Sequence, residues 1–508
     1  MCSIAGVTWN NSYQLVNSML DLMWHRAPDD KGIFRDKNIV LGMGRLKIID
    51  LLSENLCPYI NQDLVLSFNG EIYNFKEIKN ELKSVGYRFK TKSDTEVLAF
   101  AWHKWGVKTF SKLNGMFAFA IYDKKKNKLF LARDIAGEKP LYYIHKNKKL
   151  YFASEAKALA KKLDLKKQKP ESYNVLQHCL NETLFKDLFQ IPPASYLEYD
   201  LNKKKIICIK EYWTLKRKKI NLKTCEEELE YLLKKAIKLR TYCDVDYGLY
   251  YSKGVDSSLI STFHDFKSKI YFNDQYNYKS DFFKNIKKIG YHLDFPVGSY
   301  SSYPLWKLAE KAKKKKIKVI ISGEGADEIF GGYIRYMPVY TSWQLKQNFK
   351  SYTPLFNKYY KDYYIDFARI TARNKNSEII EKKMKPIFEM FDDPINAMGY
   401  FDFKYVMPSL LQMGDRMSSA FGIENRCPFL DKEIIEFGFN LPPEIKIRNF
   451  NQKNILRSIL KKRGLTKPLA LEKKGLTIKY NKWFKKNNWD LNRSNYFDYL
   501  NSNWDKTF

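Results

Sequence analysis

The chain has 508 residues, 44% of them apolar and 16% aromatic, which is more than one hydrophobic core ordinarily supports; two folded domains are expected and a disordered chain is excluded. The formal charge of +33 would suit a polyanion, but the lysines are scattered in runs such as DKKKNK, LNKKKI and KAKKKKIK; they read as solvated faces and argue against a nucleic-acid partner. With no apolar run of about 18 residues, no signal-peptide pattern in MCSIAGVTWNN, and seven cysteines (Cys2, Cys57, Cys179, Cys208, Cys225, Cys243, Cys427) at neither C-x-x-C nor zinc spacing, a cytoplasmic protein without membrane spans is expected.

CSIAGV alternates like a buried strand, and Cys2 stands apart from the other thiols. Methionine removal before so small a residue would leave a thiol beside a free α-amine, whose ordinary pKa of about 7.7–8.0 suits a general base near neutrality. HRAPDDKG (25–32), GRLKIID (44–50), FNGEIYN (68–74), KSDTEV (92–97), GMFAFAIYD (115–123) and RDIAGEKPLYY (133–143) follow in order. Taken alone, the Asn69-Gly70 pair reads as a type I′ hairpin turn.

From Lys161 the pattern loosens into KKLDLKKQKPE, and QIPPASYLEYD (190–200) follows with a proline turn and a strand. CEEELEYLLKKAIKLRTY has apolar residues at helical spacing, with glutamates early and lysines late, as the helix dipole favours. It leads to GLYYSKGVDSSLISTFHDF, a strand, a polar loop and a helix, the arrangement that binds anions at a helix N-terminus. The loop is not a Walker A, and Lys253 stands where a second glycine is expected. KVIISGEGADEIFGGY (318–333) is a second strand running into a glycine-rich acidic loop, and DRMSSAFGIENRCPFLD (415–431), QKNILR and EKKGLTI follow.

The first series of motifs closely resembles the glutaminase domain of class II glutamine amidotransferases, in the asparagine synthetase branch. The second resembles the S-G-G-x-D-S loop of ATP pyrophosphatases, the S-G-E-G-[AS]-D-E-x-F-G-G-Y motif and the D-R-x-S-M-A-x-[GS]-x-E-x-R-x-P-F-L-D motif of the same family. The resemblance implies an α+β N-terminal nucleophile hydrolase sandwich of antiparallel sheets over residues 2–204. An α/β parallel-sheet domain of the ATP pyrophosphatase (adenine nucleotide alpha hydrolase-like) type would follow over residues 205–508.

By that resemblance Cys2 is the nucleophile, and Asn69 and Gly70 supply oxyanion donors. Arg45 takes the α-carboxylate of glutamine as a bidentate fork and Asp94 its α-ammonium, with Ile49 and Glu71 also in the glutamine pocket. Tyr250, Ser252, Gly254, Asp256, Ser257, Ser258, Phe272, Ser322, Gly323 and Lys453 would line the ATP site. Asp256 and Asp327 would hold magnesium, and Glu324 would serve formation and amination of an acyl-adenylate. Two departures are Ala27, where the family has glycine, and GMG before Arg45. The distance from Ser252 to Ser322, 322 − 252 = 70 positions, is shorter than the family uses, in a segment near the acceptor pocket.

The activity so implied is glutamine-dependent asparagine synthesis from aspartate, with ATP as substrate and magnesium as cofactor. Ammonia would pass through an interdomain tunnel to β-aspartyl-AMP, and the protein would act as a homodimer. The alternatives are the same amidation of another carboxylate, such as a uronic acid of a surface polysaccharide precursor, and a binding protein with a degenerate synthetase domain. Cys427 reads as a small buried hydrophobe.

Overall fold

Two six-stranded antiparallel sheets form the amino-terminal half. One has the order β10 (Phe189–Gln190), β8 (Tyr142–Lys146), β9 (Lys149–Ala153), β1 (Ser3–Val7), β3 (Val40–Arg45), β2 (Asp30–Arg35). The other has the order β12 (Lys205–Glu211), β11 (Ser195–Asp200), β7 (Lys128–Arg133), β6 (Gly115–Asp123), β5 (Leu64–Ile72), β4 (Tyr59–Ile60). The boundary read at residue 205 falls at the start of β12, which pairs with β11 and so lies with these layers. The computed structural model describes residues 1–54, 56–61, 63–168, 183–273, 276, 278–294, 301–348 and 378–470; the EKKGLTI stretch and the start of VGSYSSYPLW lie outside them.

Alternation explains how β1 is buried along its whole length. Ile4 faces the second sheet, in one cluster with Val65, Ala118 and Leu131. Ala5 and Val7 face the helix Tyr13–Leu22 and cluster with Val16, Met19 and Leu20.

The hairpin turn read at Asn69-Gly70 is corrected: both residues lie inside β5, paired with Ala118 and Phe117 of β6. The signal failed because this glycine serves close packing in an extended ladder. Gly70 has φ +144°, and a Cβ there would stand 2.0 Å from the Met116 carbonyl oxygen. The two sequence departures in this half meet in space. A Cβ on Gly44 would lie 2.9 Å from the Ala27 methyl, so the bulk gained at residue 27 fits because residue 44 has none.

The second half is built on a parallel sheet in the order β14 (Lys269–Ile270), β13 (Tyr247–Tyr250), β15 (Val319–Ile321), β16 (Glu424–Arg426). The helix Cys225–Arg240 precedes it as the charge pattern predicts, with Glu226, Glu227 and Glu228 in its first turn and Lys238 and Arg240 in its last. The β13 and β15 loops open side by side at the carboxyl ends of their strands, where ligands bind in such sheets. Among the described residues no helix is long and apolar enough to cross a membrane.

The halves share their cores: Ala5, Val16 and Leu20 belong to one apolar cluster with Phe282, Trp306 and Met417. Through that seam runs an ion network. Arg26, fully buried, donates to both Asp415 oxygens at 2.8 and 3.1 Å, to Glu155 at 3.0 Å and to Ser419 at 3.1 Å. Arg416 donates to the same Glu155 oxygen at 3.1 Å, and Lys157 reaches the other Glu155 oxygen at 2.5 Å. Burial opposes charge on Asp415, but the adjacent Arg26 outweighs it and holds the carboxyl below its usual range.

Removing one partner of a buried pair costs more than the pair contributes, because the other charge stays behind. Arg26→Met should lower unfolding stability by about 3 kcal/mol, and Asp415→Asn in the same background should restore part of it. Urea unfolding followed in both halves checks this. A loss below about 1 kcal/mol would mean that the network does not hold the seam.

Candidate active sites

The first site lies between β1, β5 and the loop after β3. The Cys2 backbone N–H donates to Asn69 Oδ1 at 3.0 Å. That bond fixes the amide's orientation and leaves Asn69 Nδ2, on a residue with no solvent exposure, without a partner among the described residues. A buried donor with nothing to donate to costs about 1–3 kcal/mol and suits an oxyanion that forms only during reaction. Burial raises the Cys2 thiol's pKa, against the nearby amino terminus and the Leu46 N–H, which both lower it. Burial pushes the Met1 amine beside it down to about 6.

Arg45 closes β3 and is held by three carbonyls: Ser53 at 3.1 Å, Ile49 at 3.1 Å and Asp50 at 2.8 Å. Ile49 therefore contributes through its backbone. Asp94 opens the helix Asp94–Trp105, capped by Ser93, and accepts from the Ile72 N–H at 2.9 Å. Its carboxyl is pushed up to about 6 by burial, against the Ile72 hydrogen bond. Glu71 is drawn to the other half, where its carboxylate pairs with Arg426 at 3.0 Å. Arg426 also holds Glu424 at 2.9 Å. Burial raises Glu71 well above the ordinary carboxylate range, whereas at Glu424 the pull of the neighbouring cations, Arg426 foremost, outweighs burial.

The second site joins the β13 and β15 loops. Ser252 N and Oγ both lie 3.1 Å from Ser257 Oγ, and the Gly254 N–H points to Ser252 Oγ at 3.3 Å, which folds the loop over the start of the helix Val255–Phe263. Ser258 Oγ donates to the Tyr251 hydroxyl at 3.2 Å. Lys253 carries the left-handed conformation, φ +63°, that a glycine would adopt freely, and its side chain is exposed.

Lys453 reaches across from the start of the helix Asn454–Lys462 and places its ammonium 2.6 Å from Asp256 and 2.8 Å from Asp327. Burial opposes its charge, but the two carboxylates win and raise its pKa. The approach is so close that a Cβ on Gly332 would fall 2.0 Å from Asp327 Oδ1 and 2.1 Å from Lys453 Cε. A Cβ on Gly323 would likewise lie 3.0 Å from the Asp256 Cβ, so the two loops pack closely at a glycine. Two carboxylates facing one cation fit magnesium, which takes one or two carboxylates and completes its shell with phosphate oxygens and water.

Glu324 follows. Its carboxyl is pushed up to about 7 by burial, against hydrogen bonds from Cys427 and Asn425. Cys427 is buried as expected, and in addition its thiol touches Glu324 at 3.4 Å and Ser322 Oγ at 3.5 Å. The Tyr250 hydroxyl, buried and without a partner among the described residues, lies near enough to Glu324 for that charge to add to burial in raising its pKa. Phe272 stacks on Tyr278, centroids 5.1 Å apart, and lies past the end of β14.

Sequence reasoning singled out none of Arg26, Lys139, Asn425 and Arg426, which make contacts between the two halves. Lys139 Nζ lies 3.2 Å from Met1 Sδ and 3.4 Å from the Asn425 carbonyl, and so bridges the two halves. The quoted motifs HRAP, GEKP and ENRC contained these residues, but pairing across 286 positions carries no local signal.

A part-buried cysteine next to the amino terminus, beside the unpartnered amide of Asn69 and joined to a nucleotide-type parallel sheet, is the arrangement expected of a glutamine-dependent amidotransferase with a synthetase domain. The family model described as Glutamine amidotransferase domain matches residues 1–213, and that described as Asparagine synthase matches residues 273–495. The chain is 32% identical over 401 residues to a Methanocaldococcus jannaschii protein provisionally named asparagine synthetase [glutamine-hydrolyzing] 2, covering 67% of this chain and 77% of that one. It is 28% identical to asparagine synthetase [glutamine-hydrolyzing] 1 of Bacillus subtilis, over 94% of this chain and 86% of that one. The protein belongs to the glutamine-hydrolysing asparagine synthetase family.

The resemblance gives Asp94 the α-ammonium of glutamine, which only an ionised carboxylate holds, so on that reading glutamine binding should weaken as pH falls through about 6, with KM rising. Glutaminase kinetics between pH 5 and 8 test this, and a KM flat across that range would remove Asp94 from the glutamine pocket. Lys253→Gly should relieve about 1–2 kcal/mol of left-handed strain, offset by about 0.5–1 kcal/mol of glycine's unfolded-state freedom. A small gain in stability with ATP use undiminished is expected. Weaker ATP use would assign the Lys253 ammonium to phosphate binding.

Proposed function

We propose that the protein makes asparagine from aspartate, ATP and glutamine. Once Met1 is removed, the Cys2 amine takes the thiol proton and the sulfur attacks the glutamine amide carbon. Asn69 Nδ2 and the Gly70 amide receive the oxyanion, Arg45 holds the α-carboxylate and Asp94 the α-ammonium. In the second site Ser252, Gly254, Ser257, Ser258, Ser322 and Gly323 cradle the nucleotide, with Tyr250 and Phe272 on its flanks. Lys453 sets a positive charge against the phosphates. Asp256 and Asp327 would hold magnesium, which supplies charge neutralisation at the pyrophosphate. Glu324, poised near neutrality, receives a proton when ammonia attacks the aspartyl-adenylate.

The observation that carries this reading is the buried contact between the halves beside Glu324: Lys139 donates to the Asn425 carbonyl at 3.4 Å and Asn425 donates to Glu324 at 3.3 Å, while Met1, whose loss frees the Cys2 amine, fills the space between Cys2 and Lys139. A second reading, amidation of another carboxylate such as a uronic acid, is favoured by the short Ser252–Ser322 segment.

Pyrophosphate release with ammonia, screened over carboxylic acids, tests it. Aspartate should be the acid that supports turnover, and turnover with a sugar acid alone would establish the second reading. Cys2→Ala should abolish glutamine use and keep ammonia-dependent synthesis. Asp327→Ala should do the reverse, and equal loss of both activities in either variant would undo the two-site assignment.

A further inference from the structure

Glu324 follows the carboxyl end of β15, and the neighbouring β16 sets Asn425 opposite Ile320. This register brings two side chains onto one Glu324 oxygen. Asn425 Nδ2 donates to Oε2 at 3.3 Å and the Cys427 thiol donates to it at 3.4 Å. Both residues fall where the motif E-x-R-x-P-F-L-D leaves the residue open. Asn425 is 7% exposed and Cys427 1%.

Because Nδ2 is committed to Glu324, Asn425 presents Oδ1 as its remaining polar atom, buried and without a partner among the described residues. An unsatisfied buried acceptor costs about 1–3 kcal/mol and invites a donor. The same residue receives the Lys139 ammonium on its backbone carbonyl at 3.4 Å, and so meets the amino-terminal half beside Glu324. Ammonia brings three N–H donors and one lone pair. It therefore matches a site made of one neutral acceptor and one carboxylate.

We propose that Asn425 binds ammonia in the synthetase centre, its Oδ1 accepting an N–H while its Nδ2 turns Glu324 toward the same molecule. The proposal rests on the reading of Glu324 as proton acceptor. The nitrogen lone pair forms the bond to the acyl carbon, the carbon–oxygen bond to AMP breaks with its electron pair leaving on AMP, and one nitrogen proton passes to Glu324. Ammonia held by one N–H keeps the lone pair free for attack.

The groups that act on Glu324 set how the step depends on pH. Burial raises its pKa, Cys427 and Asn425 favour the anion, Glu328 opposes it, and Lys139 favours it; Glu138 and Tyr250 also feel its charge. Removing the Asn425 donor should leave Glu324 harder to ionise. The rate should then fall away at a higher pH than in the parent.

The experiment compares the parent with Asn425→Leu and Asn425→Asp, using the acid the parent accepts, ammonium chloride as nitrogen source, and rates plotted against free ammonia. For Asn425→Leu, KM for ammonia should rise on the order of tenfold, the size of one lost hydrogen bond, and the acid limb should move to higher pH. Pyrophosphate exchange without ammonia should fall less than amination. Asn425→Asp keeps the acceptor and adds a like charge beside Glu324, so it should move the acid limb further up while changing KM less. Unchanged KM and acid limb, or equal losses in exchange and amination, would overturn the proposal. A failure of the aspartate reading shows in the parent's choice of acid, and a failure of this proposal only in the ratio of variant to parent.

Discussion

The structure depends on the Arg26 guanidinium at the seam. It is fully buried, and it is bonded at once to Glu155 of its own half and to Asp415 of the other. Charges taken out of water are tolerable only when each finds its counterpart, so this network constrains the two halves to one relative placement. Arg26 also donates to the Cys2 carbonyl at 3.4 Å, which ties the nucleophile's backbone to the same set of charges. The contact of Lys139 with Asn425, beside Glu324, exists only in that placement, because Lys139 comes from one half and Asn425 from the other.

Both centres use burial to hold polar groups ready. In the first, Asn69 Nδ2 is left without a partner among the described residues because its oxygen is engaged by Cys2. In the second, burial lifts Glu324 to about 7, where a carboxyl can both accept and release a proton near neutrality. Glycines at 323 and 332 let the acidic loop, the phosphate loop and Lys453 approach within contact distance. The single left-handed lysine in the phosphate loop is the place where the chain departs from that economy of side chains.

Much of this was legible in the sequence, for local reasons. The strand CSIAGV, the helix Cys225–Arg240 and the strand–loop–helix around Ser252 follow from periodicity, charge order and loop composition. What failed was a local rule overridden by tertiary context. Asn69-Gly70 has the composition of a turn, yet it lies inside β5 because the close approach of Met116 requires glycine there. The compensation of Ala27 by Gly44, the turning of Glu71 to Arg426 and the meeting of Asn425 with Glu324 join residues far apart in sequence. Spacing cannot express such contacts. Cys427 shows a middle case: its burial was readable, and its contact with Glu324 was not.

The central claim is that nitrogen released at Cys2 reaches the second site inside the protein. The direct measurement is the isotope content of the amide product formed from aspartate, ATP and glutamine labelled with heavy nitrogen in its amide, in a bath of unlabelled ammonium. The product should carry the heavy label with little dilution at ammonium concentrations too low to support synthesis alone. A product whose label matches the mixed bath would mean that ammonia escapes to solvent between the sites, and would contradict the account.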